Sequence, residues 1–148
     1  MTIQYITGDL FSNTDAVLLH ACNCKRSWGK GVAATFATKF PRAYEIHRTF
    51  IAVPGDIQVI EGDRQTIVCL FTSKGYGRDT DPPLTIAKNT EIALEKLALH
   101  YKDQQVVIAS PMLNAGLFRV PWRNTENLIN YFLDNNLNIT WKVYVIEE

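Results

Sequence analysis

The fold of this chain is decided by residues 20–33, which read HACNCKRSWGKGVA. A continuous apolar run at residues 16–19 precedes them, as is typical of a strand covered on both faces. Residues 31–40 follow with good helix formers and apolar side chains at steps of four. A strand, a loop with two glycines and a helix, in this order, can direct backbone N–H groups at one point. The segment therefore predicts an anion site at the end of a buried strand.

Strands and helices alternate along the rest of the chain. Hydrophobic periodicity predicts strands at residues 2–7, 16–19, 56–60, 65–71, 105–110 and 139–146, and helices at residues 31–40, 43–50, 84–101 and 124–133. The turn-rich residues 61–64 predict a hairpin, and residues 72–83 form the longest loop. The class is α/β, with a mixed, largely parallel sheet between helices and a single domain over residues 1–148.

Charge and cysteine content restrict the partners that we expect. Fifteen basic and fifteen acidic side chains cancel, so we predict no nucleic-acid or lipid binding through a broad electrostatic field. The spacing of Cys22 and Cys24 lacks a second cluster of metal ligands, so we expect no metal and reduced thiols. Without a visible signal peptide or membrane-length apolar run, we expect a soluble intracellular monomer in the cytoplasm or the nucleus, with no membrane contact.

Three turns are predicted at the carboxyl ends of strands. They are residues 8–10, residues 20–33 and residues 110–120, and all three contain glycine or polar residues. Ligands of open α/β sheets bind beyond the carboxyl ends of the strands. The coincidence of these turns predicts one binding site at a single sheet edge.

Five segments carry a resemblance to a known family: GDL at residues 8–10, LHACNC at 19–24, WGKGVA at 28–33, FPRAY at 40–44 and NAGLFRVPW at 114–122. In this order they resemble a macrodomain, and specifically the small fungal-type ADP-ribose 1''-phosphate phosphatases, which are related to macrodomains that remove ADP-ribose from acidic side chains. The likeness extends over essentially the whole chain. It implies a three-layer α/β/α macrodomain fold with a mixed central sheet.

The resemblance also implies roles for individual residues. Asp9 would accept a hydrogen bond from the adenine amino group beside the Leu10 backbone, and Asn23 would bind the distal ribose. Residues 28–33 would wrap one phosphate, and residues 114–120 would wrap the other through backbone amides. The implied ligand-binding set is Gly8, Asp9, Leu10, Ala21, Cys22, Asn23, Trp28, Gly29, Lys30, Gly31, Val32, Ala33, Asn114, Ala115, Gly116, Leu117, Phe118, Arg119 and Val120.

His20 and Asn23 are the candidate catalytic residues. An imidazole titrates near neutral pH, and His20 lies three residues before the predicted ribose ligand. In the alternative interpretation, His20 points away from the ligand and hydrogen-bonds a neighbouring loop. Cys22 and Cys24 are the available thiol nucleophiles, but the phosphate loop ending in arginine that such chemistry uses is not evident, which favours packing.

Other side chains keep two interpretations. Three cations can contact the terminal phosphate or merely solvate a loop: Lys25, Arg26 and Lys30. Two aromatic residues can cover the ligand or fill the core: Trp28 and Phe118. Four titratable residues have no partner suggested by spacing and are assigned to surface structure: His47, Asp79, Asp81 and His100.

The leading hypothesis is a hydrolase that removes the terminal phosphate of ADP-ribose 1''-phosphate without a metal or another cofactor. The alternatives are a non-catalytic reader of ADP-ribose, free or on modified protein, and removal of ADP-ribose from protein carboxylates. In the family branch that attacks through a lysine, that lysine directly follows the threonine ending a strand, and an aspartate lies in the glycine loop. Here Ser73 follows Thr72, Lys74 comes one position later, and Phe118 replaces the aspartate, which disfavours a lysine adduct.

Overall fold

Six strands form one mixed sheet in the computed structural model, which describes residues 2–146. The strands are β1 (Gln4–Thr7), β2 (Val17–Asn23), β3 (Ile57–Ile60), β4 (Ile67–Ser73), β5 (Val106–Ser110) and β6 (Ile139–Val145). Their order is β1-β6-β5-β2-β4-β3, and only the β3–β4 pair is antiparallel. The other five strands therefore end at the same edge of the sheet.

Helices cover both faces of the sheet. The four α-helices of the described residues are α1 (Gly31–Lys39), α2 (Pro41–Arg48), α3 (Pro83–His100) and α4 (Trp122–Asp134). One core cluster contains apolar residues of α1 and α2, and the other contains those of α3 and α4. This arrangement confirms the predicted α/β/α sandwich, and the pairing of β3 with β4 confirms the predicted hairpin.

The interior position of β4, between β2 and β3, explains its composition. All seven of its residues, IVCLFTS, are buried because β4 has neighbours on both sides and helices over both faces. Alternate residues serve opposite cores: Val68 packs with the α3 and α4 side, whereas Cys69 packs with the α1 and α2 side. Pro41 separates α1 from α2 because proline is favourable at a helix start and unfavourable inside a helix.

Several predicted element limits were wrong. The apolar run of β2 was expected to end at Leu19 with His20 at the C-terminal end of the strand, but β2 continues to Asn23, so His20 lies inside it. Polar residue types suggested a loop there, although the parallel pairing of His20 with Cys69 holds the chain extended. Helix α4 begins at Trp122 after Pro121, two residues before the predicted Asn124.

Residues 1, 147 and 148 of the predicted domain lie outside the described residues. Within residues 2–146, every helix is too short or too polar to cross a membrane.

Candidate functional site

Two loops meet at the carboxyl edge of the sheet. One connects β2 to α1, and the other follows β5 and contains residues 114–120. A Cβ atom added to Gly31 would lie 3.3 Å from Leu117 Cδ1, so the two loops touch. The turn after β1 lies at the same edge, where the Gly8 amide donates to the Val145 carbonyl at 2.9 Å. The structure therefore brings the three predicted turns to one edge of the sheet.

Asp9 is exposed at the start of a short 3-10 turn, Leu10–Ser12. Its Oδ1 accepts a hydrogen bond from the Phe11 amide at 3.0 Å, which fixes the orientation of the carboxylate. Among the described residues, Oδ2 has no hydrogen-bond partner. One oxygen thus holds the turn, and the other is available to a ligand.

The Asn23 side chain shapes the β2–α1 loop. Its Oδ1 accepts from the Ser27 amide at 3.2 Å, and its Nδ2 donates to the Ser27 carbonyl at 3.0 Å. Arg26, between them, has φ 62°, and its amide donates to the Asn23 carbonyl at 3.2 Å. A ribose hydroxyl would therefore have to share or replace one of the bonds between Asn23 and Ser27.

The Asn114 side chain anchors the loop after β5. Its Oδ1 accepts from Thr72 Oγ1 at 2.8 Å, and its Nδ2 donates to Thr90 Oγ1 at 3.1 Å and to Thr125 Oγ1 at 3.3 Å. Those threonines belong to β4, α3 and α4. Asn114 itself has φ 66°, a conformation that asparagine tolerates better than most residues. The side chain predicted to bind ligand thus fixes the position of the loop, and it leaves the loop's backbone to face outward.

Backbone amides remain available in both loops. Among residues 2–146, the N–H groups of Gly116, Leu117 and Phe118 donate no hydrogen bond to protein. The first N–H groups of α1 also lack partners inside the helix, because a helix start leaves its first amides unpaired. Unpaired amides at a helix start favour bound anions, as does the helix dipole.

A cavity of about 300 Å³ lies between the loop after β4 and the loop after β5. Its lining comprises Gly77, Arg78, Thr80, Asp81, Pro82, Pro83, Leu117 and Arg119. Two arginines and one aspartate thus line a space that also includes Leu117, whose side chain lies next to Gly31. Arg78 was not selected from the sequence. The signal that could have found it is a charged loop directly after a buried strand.

Asp81 lies in this cavity, and its assignment to surface structure was incomplete. The Asp81 carboxylate accepts from the Lys74 amide at 2.8 Å, and the Asp81 amide donates to Ser73 Oγ at 3.0 Å. Ser73 is buried and donates in turn to the Gly75 carbonyl at 2.7 Å. These bonds hold the loop after β4 in a defined shape with the Asp81 side chain half-buried.

His20 does not reach the site. Its side chain has no exposed surface and stacks on Phe36, with the ring centroids 4.1 Å apart. Trp28 contacts it edge-on at 4.8 Å. The expectation that His20 is catalytic is not met by this geometry, because a strand residue at this position faces the α1 and α2 core. The alternative that it points away from the ligand fits, although its polar neighbours are thiols and not a loop.

Several other expectations are decided by packing. Trp28 fills the core and stacks on Tyr44 and His47 at 5.1 and 4.5 Å between ring centroids. The assignment of His47 to the surface was wrong, because the side chain is completely buried and lies beside Gln58 at 2.9 Å. Arg26 is held by the Phe50 carbonyl at 3.2 Å, which commits this cation to the loop.

The cysteines lie away from the open part of the site. Burial, followed by nearby Asp56 and Asp81, raises the pKa of Cys24 to about 11, so this thiol is a poor nucleophile at neutral pH. Cys22 is buried against His20.

The remaining predicted ligand residues differ in exposure. Exposed are Gly8, Gly29, Lys30, Gly31, Val32, Gly116, Leu117 and Arg119; half-buried are Ala21, Ala33, Ala115 and Phe118; buried are Leu10 and Val120. The exposed residues cluster in the two loops that touch. Ligand contact through backbone amides is therefore feasible along both loops.

Comparison with known proteins agrees with this geometry. Residues 19–129 match the family model of the Macro domain. The chain belongs to the macrodomain family. This macrodomain is 37% identical to a Debaryomyces hansenii protein named ADP-ribose 1''-phosphate phosphatase, over 98% of this chain and 99% of the relative. It is 35% identical to a Candida albicans protein of the same name, over 97% of this chain and 99% of the relative.

Solved structures support the same fold. The macrodomain of Thermus aquaticus DarG superimposes with a TM-score of 0.82 at 23% identity, over 97% of this chain and 98% of that one. Thermosipho africanus DarTG, solved in complex with ADP-ribose, gives a TM-score of 0.77 at 20% identity, over 99% of this chain and 42% of that one. These similarities establish the architecture of the macrodomain described above.

Proposed function

We propose that this macrodomain binds ADP-ribose 1''-phosphate at the carboxyl edge of its sheet and hydrolyses the terminal phosphate. The observation that carries the proposal is the juxtaposition of two amide-bearing loops with a cavity bordered by Arg78 and Arg119. Full-length similarity to relatives named ADP-ribose 1''-phosphate phosphatase supports the same substrate. The site thus has one region suited to a diphosphate and a second region suited to another anion.

Each part of ADP-ribose is assigned to one segment at the carboxyl edge of the sheet. Asp9, with one oxygen available, selects the adenine amino group, and Asn23 binds the distal ribose. Residues 28–33 and residues 114–120 hold the two phosphates through their amides. The fixed position of Asn114 supports this role, because a preorganised loop loses little conformational freedom when it binds.

Arg78 and Arg119 bind the terminal phosphate. A guanidinium offers parallel N–H donors to phosphate oxygens and keeps its charge at neutral pH. Both residues border the cavity beside Leu117, which contacts the predicted phosphate loop at Gly31. Two cations would neutralise the charge of the phosphate and stabilise the charge that develops during its transfer.

Asp81 orients the attacking water. Its carboxylate borders the same cavity and is fixed by the Lys74 amide. Water attacks phosphorus, the bond from phosphorus to the 1'' oxygen breaks, and that oxygen takes up a proton to give ADP-ribose and inorganic phosphate. Asn23, the predicted ribose ligand, holds the leaving oxygen in line. The buried His20 takes no part in this scheme.

The test measures phosphate release and ligand binding on the same variants. We expect the wild-type protein to release phosphate from ADP-ribose 1''-phosphate, and Arg119→Gln or Asp81→Asn to lower kcat/KM by about 10- to 100-fold. ADP-ribose lacks the terminal phosphate, so its Kd by calorimetry should stay within about threefold in these variants, whereas Asp9→Ala should weaken it about tenfold. Arg123→Gln, on the exposed surface of α4, is the matched control.

Two outcomes would reject the proposed phosphatase activity. Tight ADP-ribose binding without phosphate release would leave a reader of ADP-ribose. Release of ADP-ribose from modified carboxylates, but no phosphate from the 1''-phosphate, would indicate the deglycosylase. A lysine adduct finds no support in the geometry, because the residue after Thr72 is the buried Ser73.

A further inference from the structure

Four buried side chains form a thiol–imidazole cluster beneath the α1 and α2 layer: His20, Cys22, Cys69 and His47. They come from β2, β4 and α2. His20 is the register partner of Cys69 on the neighbouring parallel strand, and Cys22 follows two residues later on the same face. The function proposed above uses none of these side chains for chemistry.

The atoms of the cluster have the spacing of ligands around one ion. His20 Nε2 lies 3.6 Å from Cys22 Sγ and 3.9 Å from Cys69 Sγ, and the ligand atoms of these three residues all lie within 4.8 Å of one another. With metal–sulfur and metal–nitrogen bonds of about 2.3 and 2.0 Å, a tetrahedral site separates sulfur from nitrogen by roughly 3.6 Å and two sulfurs by roughly 3.8 Å. Cys22 Sγ also lies 3.8 Å from His20 Nδ1, so it faces the ring and not the lone pair of one nitrogen. The His20 ring must therefore rotate for the three ligands to close on one metal ion.

We propose that His20, Cys22 and Cys69 bind one thiophilic d10 metal ion, Zn²⁺ or Cu⁺. Thiolate and imidazole are the ligand types that both ions prefer. Binding forms two metal–sulfur bonds and one metal–nitrogen bond, and it releases the two thiol protons to solvent. The charge of two thiolates balances Zn²⁺ completely and leaves one negative charge with Cu⁺.

The surroundings of the cluster are apolar and aromatic, and the three proposed ligand side chains are buried. Phe36 and Trp28 cover His20 and exclude water from the cluster.

His47 distinguishes the two ions. Its Nδ1 lies 3.6 Å from Cys69 Sγ, again the spacing of two metal ligands, while it also lies 2.9 Å from Gln58 Oε1. Zn²⁺ needs four ligands, so zinc binding would draw Nδ1 away from Gln58 and into the site. Three-coordinate Cu⁺ would leave the contact between His47 and Gln58 intact.

A metal here would join β2 to β4 immediately before Asn23. Cys22 is the residue preceding Asn23, and Ser73, at the end of β4, accepts from the Cys24 amide at 3.0 Å. The expected role is therefore structural: the ion stabilises the strand ends that carry the loops of the site. Sequence spacing did not indicate this metal site, because Cys69 is distant in sequence from Cys22 and is brought beside His20 only by strand pairing.

The test uses the reduced full-length protein in metal-free buffer. Zn²⁺ and Cu⁺ are titrated separately against chromophoric chelators, and Co²⁺ serves as a spectroscopic probe. We expect one equivalent of Zn²⁺ or Cu⁺ with a Kd below about 1 µM, and a sulfur-to-cobalt charge-transfer band if the site takes four ligands. At a metal concentration a thousandfold above Kd, the melting temperature should rise by about 5 °C or more.

Variants assign the ligands and separate the two ions. Cys69→Ser should weaken binding at least about 100-fold, whereas Cys24→Ser, which alters the thiol outside the cluster, should leave it unchanged. His47→Ala should weaken Zn²⁺ but not Cu⁺. Failure of the wild-type protein to bind either ion overturns the proposal even if a variant misfolds, and so does an equal loss in Cys24→Ser.

Discussion

Asn114 provides the sharpest test of how the site is held together. In Asn114→Ala, the buried Thr72 hydroxyl loses the oxygen that accepts its hydrogen bond at 2.8 Å, and the donors to Thr90 and Thr125 disappear. An unsatisfied buried hydroxyl costs about 1–3 kcal/mol. Alanine at φ 66° costs about 1 kcal/mol more, since asparagine tolerates the left-handed conformation better than alanine does.

The two costs sum to roughly 3 kcal/mol of unfolding free energy. For a domain of this size, each kcal/mol lowers the melting temperature by about 2–4 °C, so Asn114→Ala should melt about 6–12 °C below the wild-type protein. Asn114→Gly loses the same hydrogen bonds but relieves the backbone, so it should be about 1 kcal/mol more stable than Asn114→Ala. Thermal and urea unfolding measure both values.

The same series tests the function of the loop. Loss of the anchor should weaken ADP-ribose binding about tenfold by calorimetry at a temperature where the variant is folded, because the amides of residues 116–118 are no longer held in place. Asn124→Ala changes an exposed asparagine on α4 and should affect neither quantity. If Asn114→Ala melts within about 2 °C of the wild type, or if Asn114→Gly is the less stable variant, the hydrogen bonds do not anchor the loop as described.

Two further predictions concern the buried histidines. Replacing His20 with alanine removes a fully buried ring from between aromatic neighbours, so urea unfolding should show a free energy of unfolding about 2–4 kcal/mol lower. The kcat of the folded fraction should stay within about threefold of the wild-type value. A large selective loss of kcat would show that His20 takes part in catalysis. Burial lowers the pKa of His47, so the unfolded chain binds more protons than the folded one as the pH falls below about 6.5. The free energy of unfolding should therefore decrease on acidification between about pH 6.5 and the lowered pKa, by at most about 1.4 kcal/mol per pH unit. His47→Gln should flatten this dependence on pH, whereas His100→Gln, at an exposed position, should not. Equal pH dependence in the two variants would refute the assignment of the effect to His47.

Periodicity was sufficient to predict the architecture. The buried run at residues 65–71 and the long helical pattern at residues 84–101 correspond to β4 and α3 within two residues at each end. These signals are local, because burial on one face or on both leaves a regular pattern of apolar residues. The three predicted turns also lie at the carboxyl edge of the sheet, since strand ends coincide with changes in residue type.

Long-range contacts limited the prediction of the site itself. Residue type suggested that His20 is a catalytic group for proton transfer, but strand pairing with Cys69 places it in the core. The Asn114 side chain forms hydrogen bonds with three threonines on three separate elements, and no local sequence pattern indicates these contacts. The border formed by Arg78 and Asp81 likewise exists only once the loop after β4 lies against the loop after β5.

The position of β6 limits the order in which the strands can pair while the protein is being synthesised. β6 is the last strand of the described residues along the chain, yet it lies between β1 and β5, and β1 has no other neighbour in the sheet. Strand β1, which is synthesised before β6, therefore cannot pair in the sheet until the ribosome has made the segment that contains β6. Asp9, which follows β1, is positioned only then, so a nascent chain can assemble its central strands well before it can recognise adenine.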